Sequence, residues 1–361
     1  MRRVGTAEPT AAFKEVLLPA GESHLMPETP TVYVTRKIPE VGLDRLREQY
    51  EVVVWDGTLP PETDHIKSQL ASLDADGLVC LLSDEIDADV LDASADLSVV
   101  STFSVGYDHI DVAAAADRGI AVGHTPGVLT ETTADLAWAL LLACARRTVE
   151  SHAYVEADEW QSWGPRLLTG PDVHDATLGI VGLGKIGTAV ARRGSGFGMD
   201  VLYTGPNRKP DHEAELAEAG VDATFVDREE LLADSDFISL HVPLTEATHG
   251  FIGADELRQM DDDAILINTS RGGVIDTDAL DTALERGWIA RAGLDVTDPE
   301  PLPGDHPLLR HAPERLVVTP HIGSASVGTR NRIAEMAAAN VEAGIDGRDL
   351  PNSALRDAGL E

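Results

Sequence analysis

The chain carries little positive charge. Only five of its 361 residues are lysine, and 28 Lys and Arg stand against 62 Asp and Glu, for a formal net charge of −34. Such a surface repels nucleic acid and anionic lipid, so we expect neither as a partner. The acidic residues are spread along the chain. This spread argues against an acidic partner-binding tail and favours a high-salt cytoplasm, in which salt screens the repulsion.

Closely spaced cysteines, long apolar runs and a targeting segment are also absent. Cys80 and Cys144 both lie in apolar runs without CxxC spacing, so we expect two buried thiols, no disulfide and no metal site. No apolar run reaches the roughly 18–20 residues that a membrane span needs. The N-terminus lacks the basic start, apolar core and cleavage site that follow one another in a secretory signal peptide. We therefore expect a cytoplasmic protein without a membrane partner.

Residues 1–30 differ from the rest of the chain. They mix Pro, Gly, Glu and Ala and contain no strand pattern before Thr31. One interpretation is a disordered leader. The other is a start codon assigned too early, with translation beginning at Met26, just ahead of the first apolar strand. The intact mass of the protein from its native source distinguishes the two interpretations.

From Thr31 onwards, strand patterns alternate with helix patterns, which predicts an α/β fold with parallel sheets. The length of the chain suits two domains. The first group of predicted strands comprises Val32–Thr35, Glu51–Trp55, Gly77–Leu82, Leu97–Phe103 and Ile120–Gly123. The second group comprises Leu178–Val181, Asp200–Tyr203, Phe237–His241, Ala264–Ile267, Ala292–Leu294 and Leu316–Val318. Long helices are predicted at 130–147, with Thr130 or Thr132 as N-cap, and at 326–344.

A glycine fingerprint opens the second group. Gly182-Leu-Gly-Lys-Ile-Gly187 follows a predicted strand and precedes a predicted helix, the context that dinucleotide binding requires. Gly182 permits the tight turn, Gly184 lets the backbone approach a pyrophosphate, and Gly187 lets the helix pack on the strand. The helix N-terminus then offers amide donors to the phosphates.

The turn after the next strand determines which nucleotide is bound. Domains that bind NAD place an acidic residue about 20 residues further on, where it contacts the ribose 2′-hydroxyl. Here Thr204 and Gly205 stand at that place, and Asn207-Arg208-Lys209 follow. We predict a preference for NADP(H), with these three residues near the 2′-phosphate, and NAD(H) as the second possible cofactor. The alternative interpretation is a solvated basic turn.

Three later segments each place one ionisable residue after an apolar run. They are Asn268-Thr-Ser-Arg271-Gly-Gly, Asp298-Pro-Glu300-Pro-Leu and Thr319-Pro-His321-Ile-Gly-Ser. Ligands bind outside the carboxyl ends of parallel strands, so Arg271, Glu300 and His321 are predicted to meet in one crevice. The set suits a carboxylate clamp, a group that tunes a pKa and a proton donor.

These motifs, in this order, resemble the D-isomer-specific 2-hydroxyacid dehydrogenases. The resemblance runs from about Thr31 to Leu355 and also includes Gly293-Leu-Asp-Val. The segments Ser104-Val-Gly-Tyr-Asp-His-Ile and Thr125-Pro-Gly-Val-Leu-Thr are similar to the glyoxylate/hydroxypyruvate reductase branch of the family.

The resemblance implies two Rossmann-like or flavodoxin-like domains with the active site in the cleft between them. The substrate-binding domain would comprise residues 31–127 and 320–361, and the NAD(P)-binding domain, residues 128–319, would be inserted between them. Homodimers are implied as well. Trp160 and Trp163 would belong to a dimer arm, with two core tryptophans as the alternative.

The resemblance also implies a role for individual residues. His321 would be the acid/base, Glu300 would pair with it, and Arg271 would bind the substrate carboxylate; for Arg271 the alternative is an interdomain salt bridge. Further substrate contacts are implied for Val105, Gly106 and Ser324. Beside the fingerprint glycines, further cofactor contacts are implied for Lys185, Ile186, Pro243, Thr269, Asp295 and Gly323. We expect the remaining candidate histidines to be structural, namely His109, His241 and His249.

The implied reaction is the NAD(P)H-dependent reduction of a small 2-keto acid. Glyoxylate would give glycolate, and hydroxypyruvate would give D-glycerate. Alternatives within the family are a D-lactate-like or D-3-phosphoglycerate enzyme, and phosphite oxidation. The alternative from another class is a nucleotide-sensing co-repressor, but the sequence shows neither an added peptide groove nor a long disordered tail.

Overall fold

The computed structural model of the protein describes residues 29–361. Of the predicted leader, residues 1–28 lie outside the described residues, and so does the proposed start at Met26.

The first sheet has five parallel strands in the order β2-β1-β3-β4-β5. Their bounds are β1 (Thr31–Val34), β2 (Glu51–Val54), β3 (Gly77–Cys80), β4 (Val99–Thr102) and β5 (Ala121–Gly123). Strands β3 and β4 are buried along their whole length, which is typical of central parallel strands; β4 also buries Ser101 and Thr102. This strand order is the flavodoxin-like one.

Four helices connect these strands. They are α1 (Glu40–Arg47), α2 (Thr63–Leu73), α3 (Ala88–Leu91) and α4 (Val112–Asp117). Helices α3 and α4 begin where an aspartate caps them, because Asp87 accepts a hydrogen bond from Val90 N and Asp111 accepts one from Ala114 N.

The second sheet has seven parallel strands in the order β12-β11-β10-β9-β6-β7-β8. Their bounds are β6 (Thr177–Val181), β7 (Asp200–Thr204), β8 (Ala223–Phe225), β9 (Phe237–Leu240), β10 (Ile265–Asn268), β11 (Arg291–Leu294) and β12 (Leu316–Val318). The direction of winding reverses between β6 and β9, and the glycine fingerprint follows β6 at this switch point. Doubly wound sheets bind their ligands at such a point.

The remaining helices pack on the second sheet or link the two sheets, except α13, which packs on the first sheet against β5. Helices α5 (Thr130–Ala145), α6 (Thr148–Glu156), α7 (Lys185–Gly194), α8 (Pro210–Glu218), α9 (Arg228–Asp234), α10 (Ala254–Leu257) and α11 (Thr277–Arg286) precede the last strand. Helices α12 (Val327–Ile345) and α13 (Ala354–Asp357) follow it. Short 3₁₀ helices lie at Ser195–Phe197, Gly272–Val274 and Pro307–His311.

Helices α5 and α12 connect the sheets. Helix α5 packs into the core of the second sheet, whereas α12 returns to the first sheet through Ile333, Ala338 and Val341. The two predicted parallel-sheet domains are therefore confirmed, while their predicted boundaries at residues 127/128 and 319/320 stay a prediction. No helix among residues 29–361 is long and apolar enough to span a membrane.

The helix predicted at about 130–147 is confirmed as α5, which ends two residues earlier, at Ala145. Arg147, with a left-handed φ of 51°, separates it from α6. The prediction of Thr130 or Thr132 as N-cap is wrong: Leu129 stands at that position without a side-chain cap. The Thr132 hydroxyl instead bonds the hydroxyl of Thr329 at 2.7 Å, which ties α5 to the start of α12.

Candidate active site

Arg271, Glu300 and His321 follow three neighbouring parallel strands, β10, β11 and β12. All three residues therefore lie at the carboxyl edge of the second sheet, where the sequence places them. The edge faces the loops that follow β3, β4 and β5 of the first sheet.

His321 and Glu300 form a short contact at this edge. His321 Nδ1 lies 2.6 Å from Glu300 Oε1, and the Thr297 N–H donates to Glu300 Oε2 at 3.4 Å. Burial alone would raise the pKa of Glu300, but the hydrogen bond and charge of His321 outweigh it and hold this pKa below its usual value. The carboxylate therefore stays ionised and fixes the ring through Nδ1.

Asp295 holds the turn that carries His321. Its carboxylate accepts hydrogen bonds from Thr319 Oγ1 at 2.6 Å, Ile322 N at 2.8 Å and Gly323 N at 2.7 Å. Burial of this side chain raises its pKa, against the effect of these three donors. The turn gives His321 a left-handed φ of 53°, a conformation that a non-glycine residue keeps only when its surroundings enforce it.

Arg271 lies across the cleft from the first sheet. Its Nη2 donates to Asp108 Oδ1 at 3.1 Å, and its Nη1 donates to Ser270 O at 2.9 Å. A Cβ added at Gly106 would lie 1.9 Å from Arg271 Nη2, so the guanidinium packs directly on the Gly106 backbone. The interdomain salt bridge named as the alternative is thus present, yet Nε–H and further N–H groups of Arg271 remain available to a ligand.

The loop of Val105 and Gly106 is anchored through its carbonyl groups. His124 Nδ1 lies 2.9 Å from Val105 O, and the Ser104 hydroxyl donates to Gly106 O at 2.6 Å. Within residues 29–361, the N–H groups of Val105 and Gly106 have no hydrogen-bond partner. Two backbone donors are therefore available beside the Arg271 guanidinium.

A cavity of about 680 Å³ lies between the two sheets at this edge. Most residues implied in substrate or nicotinamide binding line it, namely Val105, Gly106, Ile186, Pro243, Thr269, Arg271, Asp295, His321, Gly323 and Ser324. Glu300 is not in the lining and contacts the cavity only through His321. Thr269 contributes a buried hydroxyl without a hydrogen-bond partner in the described part of the chain.

The glycine fingerprint has the geometry of a phosphate cradle. Gly182 adopts a φ of +95°, and a Cβ at Gly187 would lie 2.3 Å from Gly182 O. By contrast, a Cβ at Gly184 would meet nothing within 4 Å, and this open space faces the N-terminus of α7, which begins at Lys185. The residues present therefore fit a dinucleotide pyrophosphate.

The basic turn after β7 is partly neutralised. Arg208 donates to the Glu213 carboxylate from Nε at 2.9 and 3.1 Å and from Nη2 at 2.8 Å. The Tyr203 hydroxyl also donates to Glu213 and accepts from Lys209 N at 2.9 Å. Asn207 is exposed. The Lys209 side chain forms no ion pair with any residue that the structure describes.

Comparison with known proteins identifies the family. The family model for the D-isomer specific 2-hydroxyacid dehydrogenase NAD-binding domain matches residues 138–323. A glyoxylate reductase of Korarchaeum cryptofilum is 52% identical over 324 residues, which cover 90% of this chain and 95% of that protein. This chain belongs to the D-isomer specific 2-hydroxyacid dehydrogenases.

Solved structures show the same fold. The TT0316 protein of Thermus thermophilus is similar with a TM-score of 0.83 and 48% identity, covering 90% of this chain and 99% of that chain. An NADPH-dependent glyoxylate/hydroxypyruvate reductase of Sinorhizobium meliloti, in complex with NADP and malonate, has a TM-score of 0.77 and 31% identity over 90% of this chain and 96% of its own. The predicted family is confirmed, and the protein is an oxidoreductase with an NAD-binding domain.

Several cavity residues of this dehydrogenase were not predicted from its sequence. They are Tyr107, Asp108, His124, Arg330 and Asp357. The Asp108 position lies inside the Ser104-Val-Gly-Tyr-Asp-His motif, which was a usable signal. Arg330 and Asp357 lie on helices with no local motif, so only the fold brings them to the site.

Of the histidines expected to be structural, two are in or behind the site. His241 lines the cavity, and burial lowers its pKa to about 3, so its ring stays neutral and pairs with the Ser239 hydroxyl at 2.8 Å. His109 lies 3.1 Å from the Thr102 hydroxyl, and burial lowers its pKa. His249 is exposed on a loop.

Proposed function

We propose that this protein reduces glyoxylate and hydroxypyruvate with NAD(P)H, giving glycolate and D-glycerate. The observation that carries the proposal is the cavity in which Arg271 and the His321–Glu300 pair meet. Curated relatives with 44–52% identity, which are glyoxylate reductases, support the choice of substrate.

Substrate binding rests on charge and backbone donors. The keto acid carboxylate binds the free N–H groups of Arg271 and the unpaired amides of Val105 and Gly106. Such charge-assisted hydrogen bonds are shorter and stronger than neutral ones. This arrangement turns the carbonyl group towards His321.

His321 supplies the proton. Its Nδ1 is engaged by Glu300, so Nε2 is the atom that donates to the carbonyl oxygen. Residues 182–187 would hold the pyrophosphate of NAD(P)H, whose nicotinamide would supply the hydride to the carbonyl carbon when bound. The carbonyl group becomes a hydroxyl group, and His321 is left neutral until solvent protonates it.

A substrate panel at molar salt tests the proposal. We expect NADPH oxidation with glyoxylate and hydroxypyruvate, and weaker oxidation with pyruvate and longer keto acids. A preference for pyruvate would indicate a D-lactate-like enzyme, and a preference for phosphohydroxypyruvate would indicate a D-3-phosphoglycerate enzyme. No oxidation with any keto acid would support the nucleotide-sensing alternative.

We further propose that NADPH is preferred over NADH. The support is Lys209, which has no ion-pair partner among residues 29–361, together with Arg208, which Glu213 holds at the turn after β7. Comparing kcat/KM for the two nucleotides tests the preference, and an NADH preference overturns it. The double change Arg208→Gln and Lys209→Gln is expected to lower the NADPH/NADH ratio, whereas Arg146→Gln, far from this turn, should not.

Homodimer formation is likewise a proposal. The tryptophans implied in a dimer arm are exposed, Trp160 by 59% and Trp163 by 79%, so the alternative of two core tryptophans is wrong. Exposed aromatic residues are enriched at protein–protein interfaces. Sedimentation equilibrium at molar salt tests the proposal, and a monomer at micromolar concentration would contradict it.

A further inference from the structure

Arg330 is a second arginine in the active-site cavity, and within residues 29–361 it has no ion-pair partner. It lies on α12 and lines the cavity. Its Nε atom is buried without a hydrogen-bond partner in the same part of the chain. By contrast, Arg271 contacts Asp108, His321 contacts Glu300 and His124 contacts Asp357.

An unpaired, half-buried guanidinium costs free energy, because water is lost and nothing replaces it. Burial accordingly lowers the pKa of Arg330, while attraction from Asp295 opposes this effect. The chain has 62 acidic residues, so a carboxylate partner would be easy to supply. A ligand that accepts a hydrogen bond from the Arg330 guanidinium would offset this free-energy cost.

The position of Arg330 is fixed from both sides of the cleft. Ser326 caps α12 by accepting from Thr329 N, and the Thr329 hydroxyl bonds Thr132 on α5. The Arg330 Cζ lies 5.9 Å from the centroid of the Phe103 ring. Phe103 directly precedes the Ser104–Gly106 loop. The guanidinium is therefore held on the substrate side of the cavity.

Other acceptors in the complex are already assigned to other groups. The dinucleotide phosphates belong at the 182–187 cradle, which contributes only Ile186 to the cavity lining. The substrate carboxylate belongs to Arg271 and the Val105–Gly106 amides. The part of a 2-keto acid that remains is its substituent at C3.

We propose that Arg330 recognises an oxygen atom on C3 of the substrate. The acceptor is the hydroxyl group of hydroxypyruvate or the carboxylate of a dicarboxylic 2-keto acid such as oxaloacetate. The proposal rests on the proposed reductase function, and it makes Arg330 a residue that determines specificity. Glyoxylate has no C3, and pyruvate carries only a methyl group there, so neither can use the interaction.

The test compares kcat/KM for glyoxylate, pyruvate, hydroxypyruvate and oxaloacetate in wild type, Arg330→Gln and Arg330→Lys. We expect Arg330→Gln to lower the hydroxypyruvate/glyoxylate and hydroxypyruvate/pyruvate ratios by about 10-fold or more, since a site built to bind a hydroxyl discriminates strongly. Arg330→Lys keeps the charge but lacks the planar guanidinium, so its kcat/KM ratios should lie between those of the wild type and those of Arg330→Gln. Arg332→Gln, exposed on the same helix, should keep the wild-type ratios.

The comparison of substrates identifies the group that Arg330 binds. A larger effect of Arg330→Gln on oxaloacetate than on hydroxypyruvate would indicate a carboxylate on C3, and the reverse would indicate a hydroxyl group. Equal losses for all four substrates, unchanged ratios, or a raised KM for the nucleotide alone overturn the proposal. If Arg330→Gln does not fold, the ratios in Arg330→Lys decide. Wild-type protein that reduces no keto acid would contradict the proposed function itself, an outcome distinct from all of these.

Discussion

At the scale of single residues, two ion pairs hold the residues to which we assign the chemistry. Glu300 holds His321, and Asp108 holds Arg271. The first pair lies wholly on the second sheet, whereas the second joins the two sheets across the cleft. The proposed proton donor is thus fixed by its own domain, while the proposed carboxylate clamp depends on how the domains meet.

Arg271 has two interpretations, and paired variants separate them. If it binds the substrate carboxylate, Arg271→Ala should lower kcat/KM for glyoxylate by about 10²-fold or more. Asp108→Asn, which removes the interdomain ion pair but leaves the guanidinium, should have a much smaller effect. Similar losses in the two variants would show that the ion pair, and not substrate binding, is what Arg271 contributes.

Glu300→Gln tests the role of the carboxylate through pH. The folded pKa of Glu300 lies below its unfolded value, so its contribution is present above the usual glutamate pKa of about 4.3 and is lost as the pH falls. Glu300→Gln keeps the side-chain volume but removes the charge. The difference in Tm between the wild type and Glu300→Gln should therefore shrink as the pH falls from about 7 towards about 4. A difference in Tm that does not change with pH would contradict this role.

Local sequence identified some of these residues and could not identify others. His321 and Glu300 stand in motifs next to prolines, where a strand has just ended, and this context predicts their place. Arg330 reaches the site from α12 and Asp357 reaches it from α13. Such positions depend on how the helices pack, and no short pattern encodes them.

At the scale of elements, the apolar runs locate the buried strands to within a few residues. Strand β8 was missed because it is short, lies at the sheet edge and leaves Phe225 exposed, so it lacks an apolar run. The end of α5 was predicted to within two residues, because the apolar pattern of this helix stops before Arg146 and Arg147.

The turn before α7 provides a test at this scale. A Cβ at Gly184 meets nothing within 4 Å in the protein itself, but it would occupy the space into which a pyrophosphate fits. Gly184→Ala should therefore leave Tm nearly unchanged and raise the KM for NADPH several-fold. Gly196→Ala, also in open space but away from the turn, is the matched control. Equal KM values in the two variants would contradict the cradle.

At the scale of the whole molecule, charge dominates. A net charge of −34 opposes the compact state through self-repulsion, and screening acts over about 3 Å at 1 M salt against about 10 Å at 0.1 M. The structure forms many surface ion pairs, but each exposed pair contributes only about 0–1 kcal/mol. We therefore propose that salt supplies part of the stability.

We predict that Tm rises as KCl increases from 0.1 M to 2 M. Tm should rise over this whole range, because the screening length falls throughout it, and activity should follow the folded fraction. Differential scanning calorimetry over a KCl series measures Tm. Sucrose at equal osmolarity is the control for exclusion of solute from the protein surface. A Tm that is independent of salt, or that falls, would contradict the high-salt interpretation.

We propose that His321 donates the proton in the reduction of a small 2-keto acid. This role is tested by kcat/KM for glyoxylate in His321→Ala, with NADPH affinity measured in parallel by fluorescence titration. We expect a loss of about 10²-fold or more with NADPH affinity unchanged. Reduction of glyoxylate at a rate near that of wild type would contradict it.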